Sequence, residues 1–420
     1  MEYFEFLNKS VTPYHTVEAL KALFDAKCGK NTRFFERGGA LIAVRAPMQI
    51  CSDSQFRIAL AHTDFPTLKI TPNPDHVAAG IQTLHPEIYG SPIYTSWLDR
   101  DLGYAGLLAY EMNEKVQTML FRGNKFVRIP QLAVHLNRGV NQDGLKVNPQ
   151  TDLNALWTAS VGTKFTDILQ QEVPQGGKIL DFDVQLFDAQ PAQFGGFENE
   201  WIYSGRLDNL SSCHAIAEAF AAAGELEKDF QVAAFFNNEE VGSETREGAA
   251  GNFLKSVLEN VAMSAALDSS TSLRSAQNDK SLSSLVCSEL ASVLSSSFAL
   301  SIDMAHAEHP NFVQKHESNH APVLGGGVVL KMNSQKRYAS DVFSNARFKL
   351  ICEQNNILYQ TFVMRNDMPC GSTVGPTISA SLGIPTVDIG EPMLSMHSIR
   401  EMTDVADHES MIRLVTAFFG

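Results

Sequence analysis

The sequence predicts an α/β protein in which a mostly parallel central sheet is interrupted by a β-rich insertion. After Asp208, strand-like apolar runs alternate with helical patterns: "LSSCHAIAEAFAAAG" is typical of a helix and "DFQVAAFFNN" of the strand that follows it. Strands that alternate with helices form largely parallel sheets covered on both faces. Between about residues 72 and 190 the sequence is instead rich in turns and short strand-like pieces. We therefore expect one domain from residues 1–71 and 191–420 and an inserted domain from residues 72–190.

The elements before the insertion follow from apolar spacing. In "SVTPYHTVEALKALFDAKCG" the apolar residues recur at helical intervals, and Gly29 ends the pattern. "GALIAVRAP" and "FRIALAHTD" predict strands. Within the insertion, we expect one helix, from Thr151 to Gln171.

The second half continues the alternation of helices and strands. "GAAGNFLKSVLENVAMS" predicts a helix, and "LVCSELASVLSSSFALSIDMAH" predicts a helix followed by a strand. "GPTISASLG" predicts a short helix and "IPTVDIG" a strand. The serine-rich segment from Ser264 to Ser297 predicts a loop and a surface helix.

Composition and charge exclude several classes of protein. The chain has 420 residues, 44% hydrophobic and 19% charged, with a formal net charge of −14. Nucleic-acid partners require basic patches, and no basic block is present. No apolar run is long enough to span a membrane, and acidic residues stand where a signal peptide would be basic. The six cysteines are scattered without a CxxC pair, which predicts reduced thiols and a cytoplasmic location.

Potential metal ligands follow three of the predicted apolar strands, and two more lie in loops. Ligands of open α/β sheets bind outside the carboxyl ends of the strands, so these side chains are expected to converge there. Histidine and carboxylate are the ligand types for zinc and similar divalent ions. The residues are His62 and Asp64 after one strand, Glu239 and Glu240 after the second, Asp303 and His306 after the third, and Asp208 and His397 in loops.

This set suits either one ion or two. One histidine with two carboxylates would leave an open position for water at a single ion. Five ligands that include two histidines and one bridging carboxylate would suit two ions roughly 3.5 Å apart. Alone, His62 is better explained as a hydrogen-bonded histidine at a strand end and Asp208 as a helix N-cap. The presence of all the residues at strand ends or adjacent loops favours a metal site.

Six motifs together resemble one known family. In order they are "AHTD", "RLDN", "NNEEVGS", "SIDMAHAEHPN", "KMNSQKRYA" and "MHSIRE", and the chain resembles the aspartyl aminopeptidases, which are co-catalytic dinuclear zinc exopeptidases. The resemblance extends to "SWLDRDLGYAG" and "IPQLAVHLNR" in the insertion. It implies a split α/β metallopeptidase domain interrupted by a β-rich dimerisation domain. It also implies hydrolysis of an N-terminal residue, preferably Asp or Glu, from peptides with a free N-terminus.

The resemblance also assigns roles around two divalent metal ions, most naturally Zn²⁺, with Co²⁺ or Mn²⁺ as alternatives. His62, Glu240 and Asp303 would be terminal ligands, Asp208 would bridge the ions, and His397 would complete the second site. Glu239 would stay unbound and act as general base toward the metal-bridging water. Asp64 would orient the ring of His62 through a hydrogen bond.

Further residues are implied to bind substrate. Lys331 and Tyr338 would form the pocket for an acidic side chain, and His306 would help to hold the scissile carbonyl or the substrate's carboxylate. His135 would reach into a neighbouring subunit's site. The implied assembly is a homo-oligomer, a dodecamer built from dimers, without nucleic-acid or membrane partners. Two alternatives stay open: a broader dinuclear aminopeptidase or amidase, and a self-assembling shell protein with a relict metal site.

Overall fold

The computed structural model describes residues 1–29, 31–49, 51, 53–269 and 293–420. Of the serine-rich segment, residues 270–292 lie outside the described residues. The helices are α1 (Tyr3–Lys9), α2 (Pro13–Lys27), α3 (Val140–Asp143), α4 (Phe165–Glu172), α5 (Leu207–Ala222), α6 (Phe253–Ser269), α7 (Val342–Gln354), α8 (Val374–Leu382) and α9 (Val405–Phe419). The strands are β1 (Thr32–Arg37), β2 (Ala40–Arg45), β3 (Phe56–His62), β4 (Thr67–Ala78), β5 (Ile81–Tyr89), β6 (Leu102–Met112), β7 (Lys115–Arg122), β8 (Ala155–Thr158), β9 (Lys178–Asp188), β10 (Gln193–Gly195), β11 (Trp201–Ser204), β12 (Phe230–Phe236), β13 (Phe298–Ile302), β14 (Ala305–His306), β15 (Val328–Met332), β16 (Tyr359–Val363), β17 (Thr386–Gly390), β18 (Pro392–Leu394) and β19 (Glu401–Asp404).

The central sheet has the strand order β1-β2-β12-β3-β13-β17-β15-β16. Its core, β12-β3-β13-β17, is parallel throughout, and β15 also pairs with β16 in parallel. The antiparallel pairs are β1–β2, β2–β12 and β17–β15. The predicted α/β fold with a mostly parallel sheet is therefore confirmed. Because the core strands run the same way, their carboxyl ends meet at one edge.

Helices cover both faces of this sheet. Along β12, Ala233 and Phe235 face a cluster that includes Leu20 of α2 and Phe220 of α5. The intervening residues of β12 face a second cluster, supplied by α6 and α8. Every residue of β12 is buried, as expected for a parallel strand between two helical layers.

Helix α2 has the boundaries that its sequence predicts. Pro13 opens it, the Thr12 hydroxyl accepts the His15 N–H at 3.3 Å, and its last residue, Lys27, lies two positions before Gly29. The first N–H groups of a helix have no intrahelical partner. A threonine cap accepts one of them, and a proline at the first helical position has no N–H that needs a partner.

A second, six-stranded sheet has the order β7-β6-β9-β4-β5-β8 and is antiparallel. It spans Thr67 to Asp188, so its first strand begins before residue 72, the expected start of the insertion. Its own apolar cluster includes Leu108, Phe165 and Leu186. The division into two domains at residues 72 and 190 stays a prediction.

The helix expected from Thr151 to Gln171 is wrong in its first half. Ala155–Thr158 form β8, which pairs with β5, and only Phe165–Glu172 are helical. The Asp75 carboxylate caps this helix by accepting the Phe165 N–H at 3.1 Å. Because that cap comes from a residue 90 positions away, local sequence patterns could not locate the helix start.

A smaller sheet with the order β10-β11-β19-β18-β14 carries the segment that contains His397.

Within the described part of the chain, none of the helices has the length and apolar character needed to cross a membrane.

Candidate metal centre

The ligand candidates meet at the carboxyl edge of the central sheet. His62 is the last residue of β3, Asp303 follows β13 directly, and Glu239 comes three residues after β12. The parallel register pairs Phe236 with His62, which places the end of β12 beside the end of β3. Histidine and carboxylate side chains that follow three neighbouring strands therefore lie close together.

A tight turn brings the two adjacent glutamates into the same site. Asn238 has a φ of 65°, in the left-handed region, and Glu239–Val241 form a short 3₁₀ helix. Adjacent residues of an extended strand would point to opposite faces, but those of a helical turn need not. The turn thus explains why Glu239 and Glu240 both line the site cavity.

Asp208 lies between two histidines and presents one carboxylate oxygen to each. Its Oδ1 is 3.5 Å from Nε2 of His62, and its Oδ2 is 3.6 Å from Nε2 of His397. Nε2 of His62 is also 3.6 Å from Oδ1 of Asp303, and Nε2 of His397 is 3.5 Å from Oε2 of Glu240. The donor atoms form two groups that share Asp208.

These separations suit metal coordination. Donor atoms at about 2.0–2.2 Å from a tetrahedral zinc ion lie roughly 3.3–3.6 Å from one another. One donor atom each of His62, Asp208 and Glu240 lie within 4.8 Å of one another. Oδ1 of Asp208 and Oε1 of Glu240 are buried and have no hydrogen-bond partner among the described residues. Buried carboxylate oxygens without partners are costly, and a cation would satisfy both.

Each histidine is oriented through its other ring nitrogen. Nδ1 of His62 is 3.0 Å from the main-chain oxygen of Asp64, and Nδ1 of His397 is 3.1 Å from the main-chain oxygen of Ser91. A carbonyl acceptor fixes the proton on Nδ1 and leaves Nε2 free to bind a metal.

The charges of the cluster are arranged to attract cations. Burial opposes charge on His62, but the nearby carboxylates of Asp208, Asp303 and Asp64 outweigh it and raise its pKa well above the usual value. Burial likewise acts against charge on His397, yet the nearby carboxylates of Asp208 and Glu240 raise its pKa to about 10. The carboxylates thus require positive partners, which protons or metal ions can supply.

Glu239 differs from its neighbour in environment. Burial, together with Asp303, Asp64 and Asp208 and against the attraction of His62, raises the pKa of Glu239 to about 8. Its Oε2 is 4.0 Å from Nε2 of His62, farther than the other carboxylates that face this nitrogen. Glu239 therefore lies beside the donor groups without completing either of them.

The Asp64 carboxylate holds the turn that carries both glutamates. It accepts the main-chain N–H groups of Glu239 and Glu240, both at 3.1 Å, and the hydroxyl of Tyr89 at 2.7 Å. Its Oδ1 is 3.5 Å from Nδ1 of His62, so the shorter contact to that ring comes from the Asp64 main chain. Asp64 therefore holds Glu239, Glu240 and His62 in place through its backbone and its side chain.

Glu401 is a residue of the site that sequence reasoning missed. It is 3% exposed, and its carboxylate accepts the main-chain N–H of His397 at 2.7 Å and that of Asp208 at 3.2 Å. The motif "MHSIRE" contains Glu401, but nothing local shows that its side chain points inward rather than to solvent.

The ligands lie in a cavity of about 500 Å³, the site cavity, which His306, Lys331 and Tyr338 also line. Lys331 is 3% exposed, and its Nζ is 3.8 Å from Oδ2 of Asp303. Burial and the nearby Lys331 lower the pKa of His306 to about 4. Arg337, which the motif analysis left without a role, adds a second cation to the wall.

His135 is the expected site residue that the fold does not bring to the cluster. It lies in the turn Val134–Leu136 of the insertion, and it is not among the described residues that line the site cavity of its own chain. Leu132, Val134 and Leu136 around it are 62%, 50% and 73% exposed.

Comparison with known families agrees with this geometry. Residues 6–419 match the profile of the family described as Aminopeptidase I zinc metalloprotease (M18). The chain belongs to the M18 family. It is 36% identical to "Probable M18 family aminopeptidase 2" of Streptomyces avermitilis, over 98% of this chain and 95% of that protein. It is 33% identical to "Probable aspartyl aminopeptidase" of Ricinus communis, over 99% of this chain and 93% of that protein.

The fold of the M18 chain has a close match among solved structures. A chain in the structure described as "Cryo-EM structure of the Ape4 and Nbr1 complex" superposes with a TM-score of 0.89 at 30% identity, covering 99% of this chain and 84% of that one. The predicted metallopeptidase fold and the class of enzyme, a zinc-dependent aminopeptidase, are confirmed by these relationships.

Proposed function

We propose that this M18 aminopeptidase removes an N-terminal Asp or Glu from peptides and uses two divalent ions, most naturally Zn²⁺. The observation that carries the proposal is the position of Asp208, whose two oxygens face two different histidines. His62 and Asp303 would hold one ion, His397 and Glu240 the other, and Asp208 both. When bound there, such ions lower the pKa of water and polarise the scissile carbonyl.

Glu239 is the general base in this proposal. It removes a proton from the attacking water and returns it to the amine of the departing peptide, and its place beside the donor groups, with Oε2 4.0 Å from Nε2 of His62, suits that role. The Asp64 carboxylate keeps Glu239 in place by accepting its main-chain N–H at 3.1 Å. Because Asp64 holds the base and the turn together, it is a positioning residue.

Lys331 is the residue that would select an acidic side chain. A lysine that is 3% exposed and has its nearest carboxylate oxygen at 3.8 Å is incompletely paired. A substrate carboxylate would supply the missing charge-assisted hydrogen bond. Tyr338 and His306 would complete this pocket, the first with its hydroxyl and the second beside the scissile carbonyl or the substrate carboxylate.

The protein would act as a homo-oligomer, a dodecamer built from dimers, in which His135 completes the site of a neighbouring subunit. The exposed Leu132, Val134 and Leu136 that flank His135 give this turn an apolar surface suited to burial against another copy. A cytoplasmic location fits the cysteines, since the five within the described ranges are all free thiols.

Turnover by metal-stripped protein tests the proposal. Zn²⁺, Co²⁺ and Mn²⁺ are added back separately, and a panel of dipeptides that differ only in the first residue is assayed. We expect activity to return at two ions per chain, with Asp and Glu peptides cleaved fastest. Equal cleavage of Leu and Ala peptides would favour a broad aminopeptidase, and an absence of turnover with every ion would favour a relict site.

A further inference from the structure

A second cavity, of about 240 Å³, adjoins the site cavity and is here called the adjoining cavity. The two cavities share His306 and Met396 in their walls. The remaining wall of the adjoining cavity includes Phe362, Met364, Met368, Met393 and Leu394.

The shared wall lies immediately beside candidate ligands of both ions. His306 is three residues after Asp303, and Met396 directly precedes His397. The strands β14 and β18 that carry this wall are paired in parallel, with His306 opposite Met393. A substrate peptide that extends from the metal centre past His306 would therefore enter the adjoining cavity.

The pocket proposed for the acidic side chain lies beside Phe362, a wall residue of the adjoining cavity, since Phe362 pairs with Lys331 across β15 and β16 and its ring is 6.5 Å from that of Tyr338. Lys331 and Tyr338 line the site cavity but not the adjoining cavity. The residue that is cleaved off would fill the Lys331 side. The rest of the peptide then has the adjoining cavity as its way out.

The chemistry of the adjoining cavity favours an apolar side chain. Methionine side chains are flexible and polarisable, and they adapt to apolar groups of different shapes. Most of its polar wall residues have hydrogen-bond partners within the chain, Glu317 with His320 among them, and Lys315 adds a cation. Arg365 donates to Asp367 at 2.7 Å and to the Gln314 main-chain oxygen at 3.0 Å, while Nε2 of His316 accepts the His309 N–H at 3.1 Å. Ligand sites of this kind combine apolar walls with few free polar groups.

We infer that the adjoining cavity binds the residue that follows the cleaved bond and prefers a bulky apolar residue there. The substrate class is then a peptide that begins with an acidic residue followed by Leu, Met or Phe. This inference rests on the proposed function, because that function places the scissile bond at the ions.

A charge introduced into this cavity tests the inference. Met368 is 38% exposed, so Met368→Glu and Met368→Lys can each be made without disturbing the core. Asp-Leu-Ala, Asp-Lys-Ala, Asp-Glu-Ala and aspartic acid α-amide are assayed with the metal-loaded protein. The α-amide has no residue after the cleaved bond. Met48→Glu, at a methionine that is 67% exposed and outside both cavities, is the matched control.

For the unmodified protein we expect kcat/KM for Asp-Leu-Ala to exceed that for the charged peptides by about 10-fold. Met368→Glu should shift the ratio of Asp-Lys-Ala to Asp-Glu-Ala upward by about fivefold, and Met368→Lys should shift it downward, as for a partly exposed charge pair. Opposite shifts cannot arise from a folding defect common to both variants. Turnover of the α-amide should be unchanged in all three variants.

Two results would overturn the inference. One is an equal ratio of Asp-Lys-Ala to Asp-Glu-Ala in both Met368 variants with the α-amide still cleaved, and the other is a change of oligomeric state on light scattering that shows another copy covers the cavity. If the unmodified, metal-loaded protein cleaved none of the substrates that begin with an acidic residue, the proposed function itself would be contradicted.

Discussion

The Glu401 carboxylate accepts the main-chain N–H of Asp208 at 3.2 Å. The same carboxylate accepts the main-chain N–H of His397 at 2.7 Å. One buried side chain that is not itself a candidate ligand therefore fixes the spacing of the candidate bridge and a histidine. Residues that orient metal ligands typically contribute about 10- to 100-fold to metal affinity or activity.

Glu401→Gln is expected to weaken metal binding about 10- to 100-fold. The amide keeps one acceptor oxygen but turns an NH₂ group toward the other main-chain N–H, which disturbs the Asp208–His397 spacing. Calorimetric titration of metal-stripped protein with Zn²⁺ measures the effect. Glu391→Gln is the matched control, since Glu391 is equally buried but hydrogen-bonds His408 at 3.0 Å. Equal affinities in the two variants would contradict a positioning role for Glu401.

Glu239→Gln and Glu240→Gln are expected to separate proton transfer from metal binding. Glu239→Gln should lower kcat by about 10²- to 10⁴-fold, the usual contribution of a general base, while the protein still binds both metal equivalents. Glu240→Gln should weaken the binding of one of the two metal ions. Metal analysis after dialysis, together with steady-state kinetics, distinguishes the two. Loss of metal in the Glu239 variant would show that this residue is a ligand and not the base.

Lys331→Leu is expected to lower kcat/KM for Asp and Glu peptides by about 100-fold, because the substrate carboxylate would be buried without its partner. Cleavage of Leu and Ala peptides should stay within a few-fold of the original rate. Lys336→Leu is a suitable control: Lys336 is exposed and its Nζ donates to the Ser340 main-chain oxygen outside the site cavity. An unchanged substrate profile in the Lys331 variant would remove this lysine from acid recognition.

Complementation between subunits tests the role proposed for His135. His135→Ala and Glu239→Gln should each be nearly inactive alone. Mixed oligomers should regain activity, because a Glu239 variant subunit can lend its His135 to a partner with an intact Glu239. Co-expression with two affinity tags provides the mixed species. Full activity of His135→Ala, or of a monomeric fraction isolated by size-exclusion chromatography, would exclude a shared site.

His15 is expected to make the fold less stable in acid. Burial and the nearby Arg122 lower the pKa of His15 from 6.5 to about 4, against the attraction of Glu18. Between these values the unfolded chain binds a proton that the folded chain does not, so the free energy of unfolding falls as the pH drops from 6.5 to 4. His15→Asn removes this contribution. In urea titrations the stability advantage of the unmodified protein should shrink across that window, and a constant difference would contradict the assignment.

The strand-end residues could be predicted from sequence because their position depends on one local fact. Parallel strands end at the same edge, so His62, Glu239 and Asp303 had to lie close together once their strands were recognised. The direction of the Glu240 side chain could not be predicted in this way. It depends on the left-handed backbone at Asn238, which the sequence "FFNNEE" permits but does not specify.

Residues whose roles depend on distant partners could not be found this way. Glu401 acts on a residue 193 positions away, and the Asp75 cap of α4 lies 90 positions from the helix it starts. The failed helix prediction at residues 151–171 has the same cause. Leu156 and Trp157 form part of β8 because β5 lies beside them and pairs with that strand.

The hydrogen bond from Tyr89 to Asp64 ties the six-stranded sheet to the loop that follows β3 of the central sheet, at the candidate metal centre. Tyr89 ends a strand of the six-stranded sheet, and its hydroxyl also accepts the side-chain amide of Asn238 at 2.9 Å. Removal of the insertion would thus remove a support of the turn that carries Glu239 and Glu240. The α/β portion alone would retain every candidate ligand and still lack a support for Glu239, the proposed base.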